Sequence, residues 1–420
     1  MVGVAGGGVA GLATALALAA RGGEAMVLDA APHSSYGSEY AGVGTVLSHG
    51  AVAQLEALGV PDVDKQGVAL DRMVVYRKGS VLAELDYHAA AVRLGLPAGA
   101  PVLGVSSRVL HEVMWNAAVA RKIPIVHEAT FGAIDPISES EALLARIDRG
   151  KGAAAQTSQA ILQAVVGADG VGSKTRELAF ADKEASGEKI LYGGWGYWHT
   201  IVDVPEAAGI DMSALSHVID NGRAVRIVPV SPTKAYVMFT FAAKSPKPPP
   251  LSHEVRRKQL LAAYEDFEAP QVRAVLDELD ASKSEFIQMR YPPHVALETY
   301  TSPTRAPVAL VGSAAHAMLP VFGLGTSLAI DDGVSIGAAL CDSDSATAAL
   351  RTWSQQRHDY IRELQALALN VSSQIHSTAD KGWLQTKMMS FVLQRSLSGS
   401  VLTDAYDRFH RFGAAVVGER

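Results

Sequence analysis

Three glycines spaced as Gly6-x-Gly8-x-x-Gly11 stand directly behind a short apolar run, residues 2–5, at the head of this 420-residue chain. That arrangement leaves few options for the backbone. An apolar strand must enter a tight turn and leave it as a helix. Gly6 permits the turn, Gly8 lets backbone N–H groups approach a phosphate, and Gly11 lets the helix pack closely on the strand. An Ala/Leu helix over 12–20 follows, ended by Arg21, Gly22 and Gly23, and a second strand over 25–28 closes at Asp29. A carboxylate at that point accepts from ribose hydroxyls, while the helix N-terminus faces a pyrophosphate. The competing reading is a Gly/Ala-rich helical hairpin with no ligand. The complete strand, helix and terminal acid argue against it. The motif alone does not separate FAD from NAD.

Residues 1–20 carry no charged side chain, as in a signal peptide or a membrane helix. No Lys or Arg precedes them, and five glycines crowd their first half. The Gly7/Gly11 spacing of a membrane dimer motif is therefore set aside on composition. No other stretch reads as long enough to span a bilayer. Apolar residues at 48% and charged ones at 19% support a large core and room for two domains. A formal charge of −6 with no Lys/Arg block argues against a nucleic-acid surface. Cys341 is the only cysteine, so no internal disulfide forms, in keeping with a cytoplasmic protein. No metal-ligand cluster is expected.

Further along, residues 71–86 read as a hairpin around Lys78-Gly79-Ser80, 107–120 as a helix, and 124 onward, 143–147 and 161–166 as strands. From 192 to 241 the texture becomes strand-rich (192–203, 224–230, 235–241), followed by a Pro-rich loop at 245–250. An amphipathic helix over 253–280 breaks near Pro270, and a strand follows over 285–290. Residues 307–311 return to the βα pattern, and 326–340 and most of 346–410 read as helix. The expected fold class is α/β: a Rossmann-type dinucleotide-binding domain (1–73, 100–186 and 291–350) interleaved with a strand-rich substrate domain (74–99 and 187–290), plus C-terminal helices (351–420).

Two later stretches repeat the strand-to-turn theme. Residues 164–176, A-V-V-G-A-D-G-V-G-S-K-T-R, run a strand into Asp169-Gly170, with Ser173 and Arg176 beyond. Residues 308–333 run V-A-L-V-G-S-A-A-H-A-M-L-P-V-F-G-L-G-T-S-L-A-I-D-D-G. With the N-terminal glycines, their order resembles the class A flavoprotein monooxygenases, the para-hydroxybenzoate hydroxylase family. That family carries D-G-x-x-S-x-x-R and G-D-A-x-H-x-x-x-P-x-x-G-x-G. The resemblance covers roughly residues 2–370. It implies FAD as cofactor, NADPH or NADH as transient reductant, and dioxygen as co-substrate. The implied reaction is hydroxylation or epoxidation of an aromatic or polyketide-like small molecule through a flavin hydroperoxide. Asp169 then shapes the flavin side of the site, and Gly312 and Ser313 follow the ribityl chain and pyrophosphate. Pro320, Gly323 and Gly325 form the turn beside the flavin ring. The family's helix-borne arginine corresponds to Arg108. A helix starting at Thr326 aims its N-terminus at that turn, where it favours negative charge on a reduced flavin.

Three positions depart from the family pattern. Ser313 stands where it has Asp, Ser327 where it favours Asn, and His49-Gly50 where it favours Pro-Asn. A hydroxyl at 313 lacks charge assistance, so weaker flavin retention is expected. His49, His199 and Tyr236 are candidates for catalysis, and Trp195, Tyr197, Arg226, Phe239 and Phe322 for a substrate pocket. Two alternatives remain. One is a related flavoprotein of other chemistry, a reductase or a halogenase, although the W-x-W-x-I-P of halogenases is absent. The other is a non-catalytic small-molecule binding protein.

Overall fold

The computed structural model describes residues 1–36, 42–77, 79–93, 95, 101–137, 140–150, 155–181, 188–243, 251–282, 287–304 and 306–376. Lys78, the Pro-rich loop 245–250, the start of the 285–290 strand and the expected helix beyond 376 lie outside them. The fold is α/β. A five-stranded parallel sheet runs Val308–Leu310, Ala164–Gly167, Val2–Ala5, Ala25–Asp29, Ile125–His127 in spatial order. The first strand is central, paired on both sides, so its residues are all buried. That explains a continuous apolar run rather than an alternating one.

Helix Val9–Ala20 packs between this sheet and the long helix Gly325–Cys341, and residues 10–18 are all buried. Its alanine content follows from that sandwich. Gly333 and Gly337 of the long helix sit against Ala10, Ala13, Thr14 and Ala17; a Cβ on Gly333 would meet the Thr14 nitrogen at 2.7 Å and the Ala10 oxygen at 2.9 Å. Small residues on both helices let the backbones nearly touch. Gly11 serves the strand side, since a Cβ there would lie 1.9 Å from the Gly6 carbonyl oxygen.

A seven-stranded sheet forms the second body, ordered Gln288–Arg290, Trp195–Asp203, Lys234–Ala242, Arg223–Ser231, Ala214–Asp220, Arg72–Arg77, Ser80–Asp86. Ala214–Asp220, which the sequence reading passed over, pairs in parallel with Arg72–Arg77 and joins the hairpin to the later strands. One face packs on helices His253–Tyr264 and Pro270–Ser282, with Val237, Phe239, Leu260 and Tyr264 in the seam. The other face looks toward the parallel-sheet body. Pro270 opens the second of the two helices, which is where a proline fits. The single strand expected over 161–166 is two, Gln156–Leu162 and Ala164–Gly167, because Gln163 turns out to bond the Met1 carbonyl. Helix Ala346–His376 lies against the long helix and the second core. No helix among the described residues is long and apolar enough to cross a membrane.

A methyl group at the helix crossing has nowhere to go but into backbone. Gly333→Ala should therefore destabilise the fold by about 1–3 kcal/mol, despite the better helix propensity of alanine. A lowered urea midpoint at unchanged slope would show this; an unchanged or raised midpoint would refute the packing argument.

Candidate active site

Two cavities flank the crossing of these helices with the sheets. The first, about 300 Å³, opens over Gly6, Gly7 and Gly8, Asp29 and Asp169-Gly170. Gly6 has φ +100°, and a Cβ there would lie 2.5 Å from the Ala168 carbonyl oxygen, so only glycine carries the chain through this turn. Helix Val9–Ala20 begins at Gly8 with no side-chain cap, so its first-turn N–H groups face the cavity rim. The Asp29 carboxylate accepts from the Gly7 N–H (2.7 Å), the Ala31 N–H (2.8 Å) and the Tyr36 hydroxyl. It thus ties the second strand to the glycine turn.

Asp169 is likewise engaged. It accepts from the Ser173 hydroxyl at 2.5 Å and from the Thr175 N–H and hydroxyl at 2.9 and 3.0 Å. Ser173 caps the next helix by accepting from the Arg176 N–H. The buried Arg176 guanidinium donates to the Val171 and Ala314 carbonyls, both at 2.7 Å, and pairs with Glu188 at 3.0 Å. The spacing D-G-x-x-S-x-x-R is therefore a latch: the acid shapes the turn, the serine caps it, and the arginine fastens it to the 312–316 turn.

That turn is held from behind by a buried charge network. Gly312 adopts φ 56°, ψ −139°, a glycine conformation, and its N–H donates to Asp332 at 2.8 Å. The same carboxylate oxygen contacts His316 Nε2 at 2.5 Å, and the other oxygen accepts from Arg357 Nε at 2.7 Å. Arg357 also pairs with Asp331, which accepts from Gln54 Nε2 at 2.8 Å. All these charged groups are essentially without solvent contact. Burial works to raise the Asp332 pKa, but His316 and Arg357 outweigh it and hold the carboxyl far below its usual range. Burial dominates at Asp331, whose pKa is raised despite Arg357.

The second cavity, about 420 Å³, lies between two walls. One is the turn wall: Ser313, Pro320, Phe322 and residues 323–326, with residues 43–46 and Ser107 alongside. The other is the sheet wall: Tyr197, His199, Arg226, Tyr236, Met238 and Arg290. Helix Gly325–Cys341 opens onto the cavity, and its N-cap, Leu324, makes no side-chain capping bond. The Ser327 hydroxyl joins that helix to the 44–47 strand by accepting from the Ser48 N–H (3.0 Å) and donating to the Val46 carbonyl (3.3 Å). Arg226 reaches across from the sheet and donates to the Pro320 carbonyl at 2.6 Å and to the Val321 carbonyl. Gly312 packs against the N-terminal helix, since a Cβ there would lie 3.1 Å from Ala10 Cβ in that helix's first turn.

A family model described as FAD binding domain matches residues 1–368. The chain belongs to this FAD-binding family. Its cofactor is FAD. A FAD-dependent urate hydroxylase from Klebsiella pneumoniae is 28% identical over 174 residues, 41% of this chain and 43% of that one. The aligned stretch thus spans less than half of that relative. A 2-heptyl-3-hydroxy-4(1H)-quinolone synthase from Pseudomonas aeruginosa is 24% identical over 375 residues, covering 86% of each chain. Among solved structures, Klebsiella pneumoniae HpxO complexed with FAD and uric acid superposes with a TM-score of 0.79 at 20% identity, over 98% of this chain and 97% of that one. At that identity the superposition speaks for the fold.

Within this FAD-binding chain, the candidate residues divide sharply. Gly6, Gly8, Asp29 and Asp169 line the first cavity, with Gly11 packed just beneath it. Ser313, Pro320, Phe322, Gly323, Gly325 and the sheet residues Tyr197, His199, Arg226 and Tyr236 line the second, and Gly312 is buried beside Ser313 against Ala10 and Ala329 and lines neither. Four candidates fall elsewhere. Phe239 is fully buried on the opposite sheet face, its ring 5.1 Å from that of Tyr264. Its odd spacing from Tyr236 already placed the two on opposite faces. Trp195 shares the Tyr197 face but is buried farther along the strand, stacked on His376. His49 is buried in the first turn of helix His49–Ala57, edge-on to Tyr87, and does not line the cavity. Arg108 is exposed on helix Ser107–Ala120, whereas its neighbour Ser107 lines the cavity.

Arg290, Met238 and residues 43–46 were missed. Only the antiparallel register Tyr197↔Arg290 brings Arg290 in, and nothing local in the sequence announces that pairing.

The titrations narrow the chemistry. Burial pushes the Tyr236 and Tyr197 phenols up, so at neutral pH both are hydrogen-bond donors rather than bases. Burial, reinforced by Arg290, lowers His199 to about 4. Its Nδ1 lies 3.3 Å from the Gly42 carbonyl, and Nε2 accepts from Arg290 Nε at 3.3 Å, which fixes the neutral Nδ1–H tautomer. Burial, with His88, lowers His49 to about 4.

Two outcomes follow. Arg357→Met leaves two carboxylates buried without their cation and should cost about 3–5 kcal/mol of stability, read as a drop in the denaturation midpoint. The histidines set a pH dependence. In the unfolded chain they take up protons below pH 6.5, whereas the folded chain resists until about 4. Stability therefore falls as the pH drops through that window, by up to about 3 kcal/mol per histidine. Denaturation curves at pH 7.5, 6 and 5 should show a shallower decline for His49→Gln than for the parent chain; parallel declines would refute the assignment.

Proposed function

We propose that this chain is an FAD-dependent monooxygenase that uses NAD(P)H and dioxygen to place one oxygen atom on an aromatic or polyketide-like small molecule. The observation that carries this reading is the second cavity. It sets an open helix N-terminus and the 323–326 turn directly across from a sheet face bearing Tyr197, Tyr236 and Met238.

The residues suit FAD on physical grounds. Helix Val9–Ala20 opens uncapped at the first cavity and helix Gly325–Cys341 at the second, which suits a molecule with a diphosphate at one end and a ring able to carry negative charge at the other. The backbone at Gly6, Gly7 and Gly8 would take the pyrophosphate. Asp29 has three of its roughly four acceptor positions filled and retains one for a ribose hydroxyl. Asp169 acts by shaping the Gly170 turn. Gly312 and Ser313 would run beside the ribityl chain, and the 323–326 turn beside the ring.

When bound, FAD would supply the redox and oxygen chemistry, with NAD(P)H as the source of reducing equivalents. The chain positions and encloses. Phe322, Leu319 and Met318 exclude water on the turn side, and Arg226 holds that turn at a fixed distance from the sheet. Tyr236 and Tyr197 offer neutral phenol donors to a substrate. Ser313 is exposed and contributes a hydroxyl where a carboxylate would bond more strongly. The single cysteine fits the cytoplasmic location that we also propose.

Purified protein with added FAD should oxidise NADH or NADPH faster in the presence of a suitable ring, and product mass should rise by one oxygen atom. A reduced product in place of an oxygenated one would overturn the monooxygenase reading in favour of a reductase. A protein that takes up no FAD at all would favour a binding protein. The same preparation should bleach on extensive dialysis; full retention of colour would overturn the reading of Ser313.

A further inference from the structure

The second cavity is electrostatically one-sided. Two arginines line it, and among the described residues no aspartate or glutamate does. The two are not equivalent. Arg226 is buried and spends its guanidinium on the Pro320 and Val321 carbonyls, so its charge holds the turn. Arg290 sits on the edge strand Gln288–Arg290 and is exposed, with its side chain lining the cavity mouth. No carboxylate pairs with it among the described residues. Its Nε donates to His199 Nε2 at 3.3 Å and its Nη2 to Gln288 Oε1 at 3.1 Å. A guanidinium has five N–H donors, so three remain, including both on Nη1.

His199 is engaged on both nitrogens, with the Gly42 carbonyl and Arg290, so no ring nitrogen is left to take a proton from a substrate. What it does is hold the guanidinium. An arginine fixed at Nε and one Nη, with no acid partner, at the mouth of a cavity walled by Tyr197, Tyr236 and Phe322, presents a planar fork beside aromatic surface. That is the complement of a flat ring carrying a carboxylate.

We infer that Arg290 receives the carboxylate of an aromatic acid substrate, with His199 acting through it as a positioning residue. The inference rests on the monooxygenase reading for what happens to the ring, but binding tests it separately. The orientation it sets has a consequence. With its acid group at the mouth beside the edge strand, the ring reaches inward toward the 323–326 turn, so the far side of the ring is presented for oxygenation.

The test uses the FAD-loaded full chain and matched pairs: 3-hydroxybenzoate with 3-hydroxybenzamide, salicylate with salicylamide, and 3-hydroxy-2-naphthoate with its amide. Affinity is read by equilibrium dialysis, and KM and kcat by NAD(P)H oxidation. At least one acid should bind tenfold or more tighter than its amide. Arg290→Gln should weaken that acid about 10- to 100-fold while leaving the amide unchanged, the range expected for a lost charged hydrogen-bond pair. Because Arg290 is exposed, this variant is not expected to unfold. His199→Phe should weaken the acid by a smaller factor through KM rather than kcat, and His199→Gln, whose amide oxygen can accept from Arg290 Nε, should restore it. Equal binding of acids and amides, binding of none of the acids, or an acid preference that survives Arg290→Gln would each overturn the inference. Oxygen insertion into a neutral ring in the same preparation would then leave the monooxygenase reading standing, whereas its loss for every ring would remove both.

Discussion

Asp332 is the point on which the site turns. One carboxylate oxygen accepts from the Gly312 N–H and meets His316, and the other binds Arg357. The acid comes from the long helix, the arginine from the helix after it, and the glycine and histidine from the turn that follows the last parallel strand. Three elements are thus locked around one buried charge. Desolvating that charge is expensive, and the geometry is tolerated because every partner is in place. The lock is conditional: it holds the strained Gly312 backbone only while Arg357 is present. Helix Ala346–His376 therefore supports the 312–316 turn without lining either cavity.

The same division of labour recurs at each motif. Side chains that resemble ligand contacts in a sequence pattern are often spent on the backbone that makes the contact. Asp169 closes its own turn, Arg176 fastens it to the Ala314 carbonyl, and Asp29 ties the second strand to Gly7. Arg226 does this between bodies, joining the sheet to the turn at Pro320. What remains directed at the cavities is largely backbone N–H, phenols and one exposed guanidinium.

Legibility in the sequence followed the range of the interactions. The glycine turn, the first βαβ unit and the two later turns are local, and their spacing could be read directly. The three strands that carry these motifs prove to be neighbours in the parallel sheet, but their order was not readable from the sequence. The strand-rich body was legible as texture but not as a surface. Alternation says which residues share a face within one strand, and it separates Phe239 from Tyr236, but it does not say which face meets the cavity. Arg290 entered only through a pairing with Tyr197 almost a hundred positions earlier. Arg108 shows the reverse failure: one residue of helical register moved it to solvent and gave its place to Ser107. Ala214–Asp220 was missed because its buried stretch carries Ser216 and His217, which dilute the apolar signal.

The two cavities differ in how much chain must be in place before they exist. The glycine cavity is built from residues 5–8, 28–36, 129–131 and 168–175, all within the first half of the sequence. The second cavity needs residues 43–46, Ser107, three strands between 197 and 238, Arg290 and finally 313–326. Contacts of such long sequence separation form late, because loop closure must be met before they stabilise anything. A growing chain therefore holds every residue that lines the first cavity before the turn that walls the second has been made. Until then Tyr197, Tyr236 and Arg290 stand on an open sheet face rather than in a pocket.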